Sequence, residues 1–283
     1  MGLGPAGLGN PFSALEGGPL ACLGGGGPPP GGFALIEADA CLGVPGTPQS
    51  ATGGASLFTG VNAPAFAGGH LQGYPNTKLK ELIAREGLLR KARERRARVG
   101  FANAYTSRFF ERGRTRHRSV TTVMAESAGI SLRREGDLKR GEAVYRDFTN
   151  RILVDSGLEI DLLSPEEAGA RLGRLAGESD LLLYEYFQTD VVGHRGSFED
   201  ALELVGGVNR FLEAAIAGLD PERDAFVLSS DHGNVEDMST SSHTPIKVPI
   251  LLWRKALRES KFYSDSPSIL DVSRGIHALL GCR

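Results

Sequence analysis

The sequence predicts an α/β protein with a mostly parallel sheet, helices on both faces and a small inserted cap. Three apolar runs, LLLYEY, DAFVLSS and VPILLW, are nearly continuous, which is typical of strands buried on both faces. Helical patterns such as SFEDALELVGGVNRFLEAAIAGL lie between such runs. An alternation of strands and helices favours a parallel sheet whose ligands bind beyond the carboxyl ends of the strands.

The bulk composition is that of ordinary globular material. The 283 residues are 41% hydrophobic and 23% charged, which suits one large domain or one domain with a smaller insertion. The net charge of −2 gives no reason to expect nucleic acid or an anionic membrane as a partner. No apolar run is long enough to cross a membrane, and the three widely spaced cysteines favour a reducing cytoplasm.

The first half of the predicted core contains a loop, an apolar stretch and two helices. Glycine and proline dominate residues 1–32, which predicts loop. The apolar stretch FALIEADACLGV then leads into the turn-rich PGTPQSATGG, and GASLFTGVNAPAFA predicts a helix just after that turn. Leu79, Leu82 and Ile83 fit the face of a second helix, and VGFANA fits a short buried strand.

The character of the chain changes near residue 106, where the basic segment SRFFERGRTRHRS begins. We assign residues 106–164 to the inserted cap, and residues 1–105 and 165–283 to the core. The return to the core carries a capping signature, with Ser164 as N-cap, Pro165 as the first helical residue and Glu167 two residues later.

Three polar motifs follow strand patterns on the predicted ligand-binding rim. QTDVVGHRG places Asp190 and His194 four residues apart, SSDHGN places Asp231 beside His232, and SSHTP contributes His243. Carboxylate and neutral imidazole are ligands for a catalytic divalent cation, and their combination favours Mn or Zn over Mg. Each motif alone is weak, but all three in this order are difficult to obtain by chance.

These motifs resemble those of the alkaline phosphatase superfamily, in the branch of cofactor-independent phosphoglycerate mutase and phosphopentomutase. That branch has a D-x3-H motif, a later D-H-G-N and an H-T before a V-P strand. The resemblance implies a two-ion centre, in which one ion is held by Asp190, His194 and His243. The other ion would be held by Asp231, His232 and Ser50.

The resemblance also implies a Ser or Thr nucleophile at a helix N-terminus. TPQSATGGASLFTG matches that element, with Ser50 as the first choice and Thr52 as the second. Metal binding would promote loss of the Ser50 proton, and backbone N–H groups at a helix start suit phosphate oxygens. From its own sequence context alone, a simple helix N-cap is the favoured interpretation of Ser50, and only the accompanying metal motifs favour the nucleophile.

The sequence departs from that branch in two ways. The branch has a further ligand, an Asp in a short D-G-x-G at the end of its first strand, and MGLGPAGLGNPF resembles the residues just after it. We therefore expect that strand to lie upstream of Met1, and an N-terminally truncated chain would have impaired activity. The short cap also resembles the smaller metalloenzymes of the branch more than the mutase, which has a large insertion.

Basic residues crowd the segment from Arg85 to Arg118, with twelve Lys or Arg against three Glu. One interpretation is a solvated basic surface. The other is that some of these side chains grip a phosphate, since Arg binds phosphate bidentately. The candidates for substrate binding are Arg108, Arg112, Arg116 and His70.

The functional hypothesis is two-metal phosphoryl transfer on a small phosphorylated substrate through a Ser50 phosphoserine. Hydrolysis of a phosphomonoester and a phosphomutase reaction both stay open, and the small cap favours hydrolysis. The alternative is a non-catalytic or impaired remnant that binds a metal and a phosphate. Nucleic-acid binding through the basic segment fits poorly with the net charge of −2.

Overall fold

The computed structural model describes residues 1–7, 9–25, 27–111 and 117–281. Within these residues the strands are β1 (Phe33–Ala38), β2 (Val99–Phe101), β3 (Ala104–Tyr105), β4 (Arg133–Arg134), β5 (Leu181–Leu183), β6 (Ala225–Ser229) and β7 (Val248–Arg254). The α-helices are α1 (Ser50–Thr59), α2 (Ala63–Ala67), α3 (Thr77–Glu86), α4 (Leu88–Glu94), α5 (Val120–Ser127), α6 (Glu135–Lys139), α7 (Arg151–Asp155), α8 (Pro165–Ala176), α9 (Gln188–Arg195), α10 (Phe198–Ala217) and α11 (Leu270–Gly281).

The α/β class is confirmed, with parallel pairing in β2–β5 and in β3–β4. The three-stranded sheet β1-β7-β6 differs from the expected pattern, because β7 runs antiparallel to both of its neighbours. Residues 230–247 connect β6 to β7 without a helix. A connection that contains no crossover helix returns the chain at the same end of the sheet, so β7 must run opposite to β6.

Helices cover the strands on both faces. Leu182 of β5 and Phe226 and Leu228 of β6 pack into a cluster with residues of α8 and α10. On the opposite face, Leu181 and Leu183 pack with residues of α1, α3, α4 and α5, and β6 packs with residues of α1 and α11. The strands therefore lie between two helical layers, as the apolar runs predict.

A gap separates β5 from β6 inside this layer. The cavity, which we call the β5–β6 gap, has a volume of about 350 Å³ and is lined by every residue of both strands. Residues of β5 and β6 are only half-buried, whereas β7 is fully buried from Val248 to Trp253. Met1 lies among the lining residues.

The glycine- and proline-rich start of the chain packs against α10. Most of it is loop, as predicted, with two short 3-10 turns at Pro11–Ala14 and Ala21–Gly24. Phe12, Leu20 and Leu23 are fully buried in the cluster that includes α10. The Asn209 side chain of α10 accepts a hydrogen bond from the Leu20 amide (3.0 Å) and donates one to the Gly17 carbonyl (2.9 Å).

The segment predicted as a cap contributes to three apolar clusters, and its Val144 and Phe148 lie in the cluster that includes α8 and α10. Val120, Met124 and Ala125 of α5 pack with α1 and α3 in the core. Another set forms a separate small cluster with Ala104, namely Leu138, Ala143, Tyr145 and Leu153. The boundaries of the cap remain a prediction.

The predicted capping box at Ser164 is confirmed. The Ser164 hydroxyl accepts a hydrogen bond from the Glu167 amide (3.1 Å), and the Glu167 carboxylate accepts one from the Ser164 amide (2.7 Å). Throughout the part of the chain that the structure describes, the helices fall short of the length and hydropathy needed to span a membrane.

Candidate metal centre

Helix α9 supplies the first half of the centre. Asp190 lies in its first turn and His194 one turn later, and side chains four residues apart lie on the same helical face. The Asp190 Oδ1 atom is 3.4 Å from His194 Nε2. The spacing predicted from QTDVVGHRG therefore places a carboxylate and an imidazole side by side.

The loop between β6 and β7 supplies the second half. It places His243 Nε2 3.2 Å from Asp190 Oδ1 and 3.0 Å from His194 Nε2. His232 Nε2 lies 3.9 Å from the same Asp190 oxygen, and the His232 and His243 rings stack with centroids 3.7 Å apart. Both of these histidines are buried, with exposed fractions of 3% for His232 and 8% for His243.

The hydrogen bonds of the outer ring atoms determine which nitrogens face the centre. His194 Nδ1 lies 2.6 Å from the Ser241 carbonyl oxygen, and His243 Nδ1 lies 2.9 Å from that of Pro48. A carbonyl oxygen only accepts, so both Nδ1 atoms carry the proton of a neutral ring and both Nε2 lone pairs point inward. Two inward lone pairs and a carboxylate suit a shared cation.

The Asp190, His232 and His243 side chains fit a divalent ion both in geometry and in chemistry. Asp190 Oδ1 is buried and has no hydrogen-bond partner among the described residues. Ligand atoms of Asp190, His232 and His243 lie within 4.8 Å of one another. One carboxylate with imidazoles is a donor set for Zn or Mn, and Mg prefers oxygen ligands.

Burial and mutual contact shift the pKa values of these groups. Burial raises the pKa of Asp190, but His243 at 3.2 Å and the other nearby histidines outweigh that effect and lower it. Burial likewise lowers the pKa of His243, but Asp190 and the Pro48 carbonyl outweigh it and raise the value. The pKa of His232 is lowered mainly by burial. A proton and a cation therefore compete for the same Asp190–His243 pair.

Ser50 is the first residue of α1 and faces this cluster. Its Oγ atom lies 3.0 Å from His232 Nε2. The N-cap of α1 is Gln49, without a side-chain capping bond, so the alternative of Ser50 as a simple N-cap is wrong. Thr52 is fully buried, and its hydroxyl donates to the Gln49 carbonyl (3.3 Å) and accepts from the Leu71 amide (3.2 Å). Because the hydroxyl is already bonded and buried, Thr52 is the weaker candidate for the nucleophile.

Asp231 lies beside His232, with Oδ2 3.6 Å from His232 Nε2, and its side chain is 31% exposed. The structure thus brings together all six predicted residues, which are Ser50, Asp190, His194, Asp231, His232 and His243. His232 contacts both predicted ligand sets, so the division of the six residues between two ions remains a prediction.

Two of the four predicted phosphate-binding residues, Arg108 and His70, lie among the described residues, and Arg112 and Arg116 lie outside them. Arg108 is exposed in the turn Ser107–Phe110. His70 contacts the loop that precedes α1, since its Nε2 atom lies 3.2 Å from the Val44 carbonyl oxygen. Substrate binding by these four residues remains a prediction.

The structure adds Glu185, which the sequence motifs did not single out. Its carboxylate accepts a hydrogen bond from the Thr121 hydroxyl (2.6 Å), and its backbone N–H and C=O both pair with the Asn103 side chain at 2.8 Å. Burial raises the pKa of Glu185 to about 7, and the charge of Asp231 adds to that increase. The sequence feature that could have identified Glu185 is an acidic residue inside the apolar strand pattern LLLYEY.

Two further residues shape the loop after β6. The Glu236 carboxylate accepts hydrogen bonds from the Gly2 amide (2.6 Å), the Asn234 amide (2.7 Å) and the Thr244 hydroxyl. Gly193 of α9 lies so close to Asn234 that an added Cβ atom would be 1.3 Å from Asn234 Oδ1. The glycine of D-x3-H is therefore needed for α9 to approach the loop.

Comparison with known proteins places this centre in a family context. The sequence profile of the Metalloenzyme superfamily matches residues 164–282, which include the three metal-binding motifs. A 2,3-bisphosphoglycerate-independent phosphoglycerate mutase of Halobacterium salinarum is 29% identical over 156 residues, covering 51% of this chain and 31% of that protein. The Rhodopseudomonas palustris protein of the same name is 32% identical over 129 residues, covering 41% and 26%.

Two solved structures also match. The PH0037 protein of Pyrococcus horikoshii has a TM-score of 0.45 at 13% identity, covering 68% of this chain and 51% of that one. The Leishmania mexicana phosphoglycerate mutase, solved at low cobalt concentration, has a TM-score of 0.40 at 15% identity, covering 68% and 36%. The matched part of the chain spans less than a third of the length of the two mutases named above. Residues 164–282 of this chain are therefore similar to the Metalloenzyme superfamily.

Proposed function

We propose that this protein is a metal-dependent phosphoryl-transfer enzyme for a small phosphorylated substrate, with Ser50 as the nucleophile. The observation that supports this function best is the position of Ser50 Oγ, 3.0 Å from His232 Nε2 at the edge of the Asp–His cluster. A hydroxyl that adjoins a metal-binding group can be activated for attack on phosphorus. The proposal includes two divalent ions, Mn or Zn in preference to Mg, and a cytoplasmic location.

The chain's own residues perform the first step as follows. The His232 Nε2 lone pair accepts a hydrogen bond from the Ser50 hydroxyl and orients the oxygen towards the substrate phosphorus. A new Ser50 Oγ–P bond forms while the P–O bond to the substrate alcohol breaks. The proton lost by Ser50 passes to water, and the departing alcohol oxygen takes a proton from water, so the protons balance. The outcome is a phosphoserine at the N-terminus of α1, where the helix dipole favours negative charge.

The second step distinguishes the two reactions that the proposal covers. In a hydrolase, water attacks the phosphoserine and releases phosphate. In a mutase, another hydroxyl of the same substrate attacks it. Bound metal ions supply Lewis-acid stabilisation of the charge that develops on the attacking and leaving oxygens. The phosphoglycerate mutases among the similar proteins favour the mutase reaction, whereas the short segment between the core parts favours hydrolysis.

The test is turnover of p-nitrophenyl phosphate and of 3-phosphoglycerate in the presence of Mn, Zn or Mg. We expect metal-dependent turnover of one substrate, and a loss of about 1000-fold in Ser50→Ala because the nucleophile is removed. The matched control is Ser260→Ala, which removes an exposed hydroxyl at the surface. Acid quenching followed by mass spectrometry should show one phosphoryl group on the peptide that contains Ser50.

Two results would count against the proposal. Turnover that survives Ser50→Ala would exclude Ser50 as the nucleophile. Stoichiometric metal binding without turnover of either substrate would instead favour a non-catalytic or impaired protein that binds metal and phosphate.

A further inference from the structure

The loop before α1, residues 44–49, leads directly into Ser50. We call it the 44–49 loop. Pro45 and Pro48 lack a main-chain N–H, and Gly46 has a φ of 106°, a conformation that favours glycine. Within the described part of the chain, residues 45–47 make no hydrogen bond. The middle of the loop therefore depends for its position on contacts at the two ends.

Two histidines hold the ends of this loop. His70 Nε2 lies 3.2 Å from the Val44 carbonyl oxygen. His243 Nδ1 lies 2.9 Å from the Pro48 carbonyl oxygen. A carbonyl oxygen only accepts, so each of these ring nitrogens carries a proton. The His70 ring also lies against the loop, since a Cβ atom added to Gly46 would be 3.5 Å from His70 Cδ2.

His70 is itself fixed relative to α1, through the next residue of the chain. The Leu71 amide donates to the Thr52 hydroxyl (3.2 Å), and the Leu71 carbonyl accepts from the Ala51 amide (3.2 Å). These contacts form a closed ring, which runs from the first turn of α1 through residues 71 and 70 to the 44–49 loop and back to α1. Ser50 lies where that ring closes, between the loop and Ala51.

The protons of the His70 ring bear on its role. Its Nε2 proton is donated to the Val44 carbonyl, and its Nδ1 atom is buried without a hydrogen-bond partner among the residues that the structure describes. A neutral imidazole has a single N–H, so this ring has no further donor for a substrate phosphate. The contacts of His70 instead favour a role in holding the loop.

We propose that His70 is a positioning residue for the candidate metal centre and acts through the 44–49 loop. By holding the Val44 carbonyl, His70 keeps the Pro48 carbonyl in place to accept from Nδ1 of His243. The Nε2 lone pair of His243 then faces the centre, and the same loop sets the position of Ser50. This role rests on the metal-binding part of the proposed function and is independent of the reaction.

The first experiment measures the tautomer of His243 by NMR of the imidazole nitrogens in the metal-free full chain, at a pH well above the raised pKa of His243. Leucine in His70→Leu fills a similar space without a donor, whereas the amide of His70→Gln can still donate to the Val44 carbonyl. We expect the His243 proton on Nδ1 in the unsubstituted chain and in His70→Gln, and a mixture of both tautomers in His70→Leu. A role in packing alone would leave His70→Leu like the unsubstituted chain.

The second experiment measures Zn affinity by competition with a chromophoric chelator. Loss of a group that orients a metal ligand costs about 10–100-fold in affinity, so we expect that loss in His70→Leu and a change of at most about threefold in His70→Gln. The matched control is Asn62→Asp, which removes the donor to the Leu42 carbonyl (2.9 Å), two residues before Val44, and keeps the acceptor for the Ala65 amide (3.0 Å). Its Zn affinity should change by at most about threefold, because the His70 contact is retained.

Three results would overturn this role. One is a His243 tautomer that is the same in His70→Leu as in the unsubstituted chain, and another is an unchanged Zn affinity in His70→Leu. The third is an equal loss of Zn affinity in His70→Leu and Asn62→Asp, which would show a general loosening of the segment. A tautomer difference without Zn binding by the unsubstituted chain would instead refute the metal-binding proposal and support the positioning of His243 by His70.

Discussion

The carboxyl ends of β5 and β6 differ from the bodies of the same two strands. Beyond the ends, Asp190 Oδ1 lies within 3.9 Å of three imidazole nitrogens. Along the bodies, the strands face each other across a cavity of about 350 Å³. The candidate Asp and His ligands lie in α9 and in the loop of residues 230–247, and neither segment depends on direct pairing between β5 and β6. The two regions should therefore respond to different perturbations.

The largest effect is expected for the metal affinity of Asp190→Asn, a substitution that changes the candidate metal centre and leaves the strand bodies intact. Changes to groups that merely support a ligand cost about 10–100-fold in metal affinity, so removing the carboxylate itself should cost about 1000-fold. Isothermal titration with Zn and Mn measures the metal affinity, with the exposed Asp265→Asn as the control. A loss of less than tenfold would remove Asp190 from the ligand set.

The next effect concerns the contact that joins α9 to the loop. Gly193→Ala forces its Cβ against Asn234 Oδ1, and overpacking of this kind costs about 3 kcal/mol in the free energy of unfolding. Gly206→Ala in α10 is the matched control, since its Cβ would meet only Arg210 Nη1 at 3.7 Å. That control should stabilise the protein by about 0.5–1 kcal/mol through helix propensity. Urea unfolding measures the free energy of unfolding of both variants. Equal values for the two would contradict the close contact between Gly193 and Asn234.

A smaller effect is expected from Glu185, which lies between β5 and the metal centre. Its pKa of about 7 in the folded chain exceeds the ordinary value of 4.5, so the unfolded chain releases this proton first as the pH rises. The free energy of unfolding should therefore fall between about pH 4.5 and pH 7, by about 2 kcal/mol after allowing for partial exposure. Glu185→Gln should lack this component. Urea unfolding in chelator at pH 5 and pH 8 measures the difference, and identical pH dependence in both proteins would contradict it.

The smallest effect is expected for the hydrogen exchange of amides in β6, the strand that lines the β5–β6 gap. Amides of β7 are paired to strands on both sides, whereas alternate amides of β6 point to its free edge. Native-state hydrogen exchange should be at least about tenfold faster at those alternate β6 positions than in β7. Uniform protection along β6 would contradict the free edge.

The sequence was sufficient for the α/β class and for the local pairing of the candidate ligands, for a physical reason. Asp190 and His194 share a helical face by their spacing, and Asp231 and His232 directly follow a strand, so local patterns bring each pair to the centre. The Ser164 capping box depends on three neighbouring residues and is equally local. Such features do not require knowledge of the tertiary arrangement.

The remaining features depend on contacts between distant parts of the chain. The antiparallel direction of β7 follows from a connection without a helix, which the apolar run VPILLW does not reveal. The close approach of Gly193 to Asn234 and the packing of Phe12 against the α10 cluster join segments far apart in sequence. The gap is a property of two strand edges together, and neither strand predicts it alone.

The hydrogen bond from Ser50 to His232 spans 182 positions of the chain, and the contact between His194 Nε2 and His243 Nε2 spans 49. A cation held by these groups would act as a cross-link between the early and late parts of the polypeptide. Closing loops of this length costs the unfolded chain conformational entropy, so an ion that binds only the folded chain favours the folded state. The supply of metal would then set how long the protein survives in a cell, in addition to whether it is active.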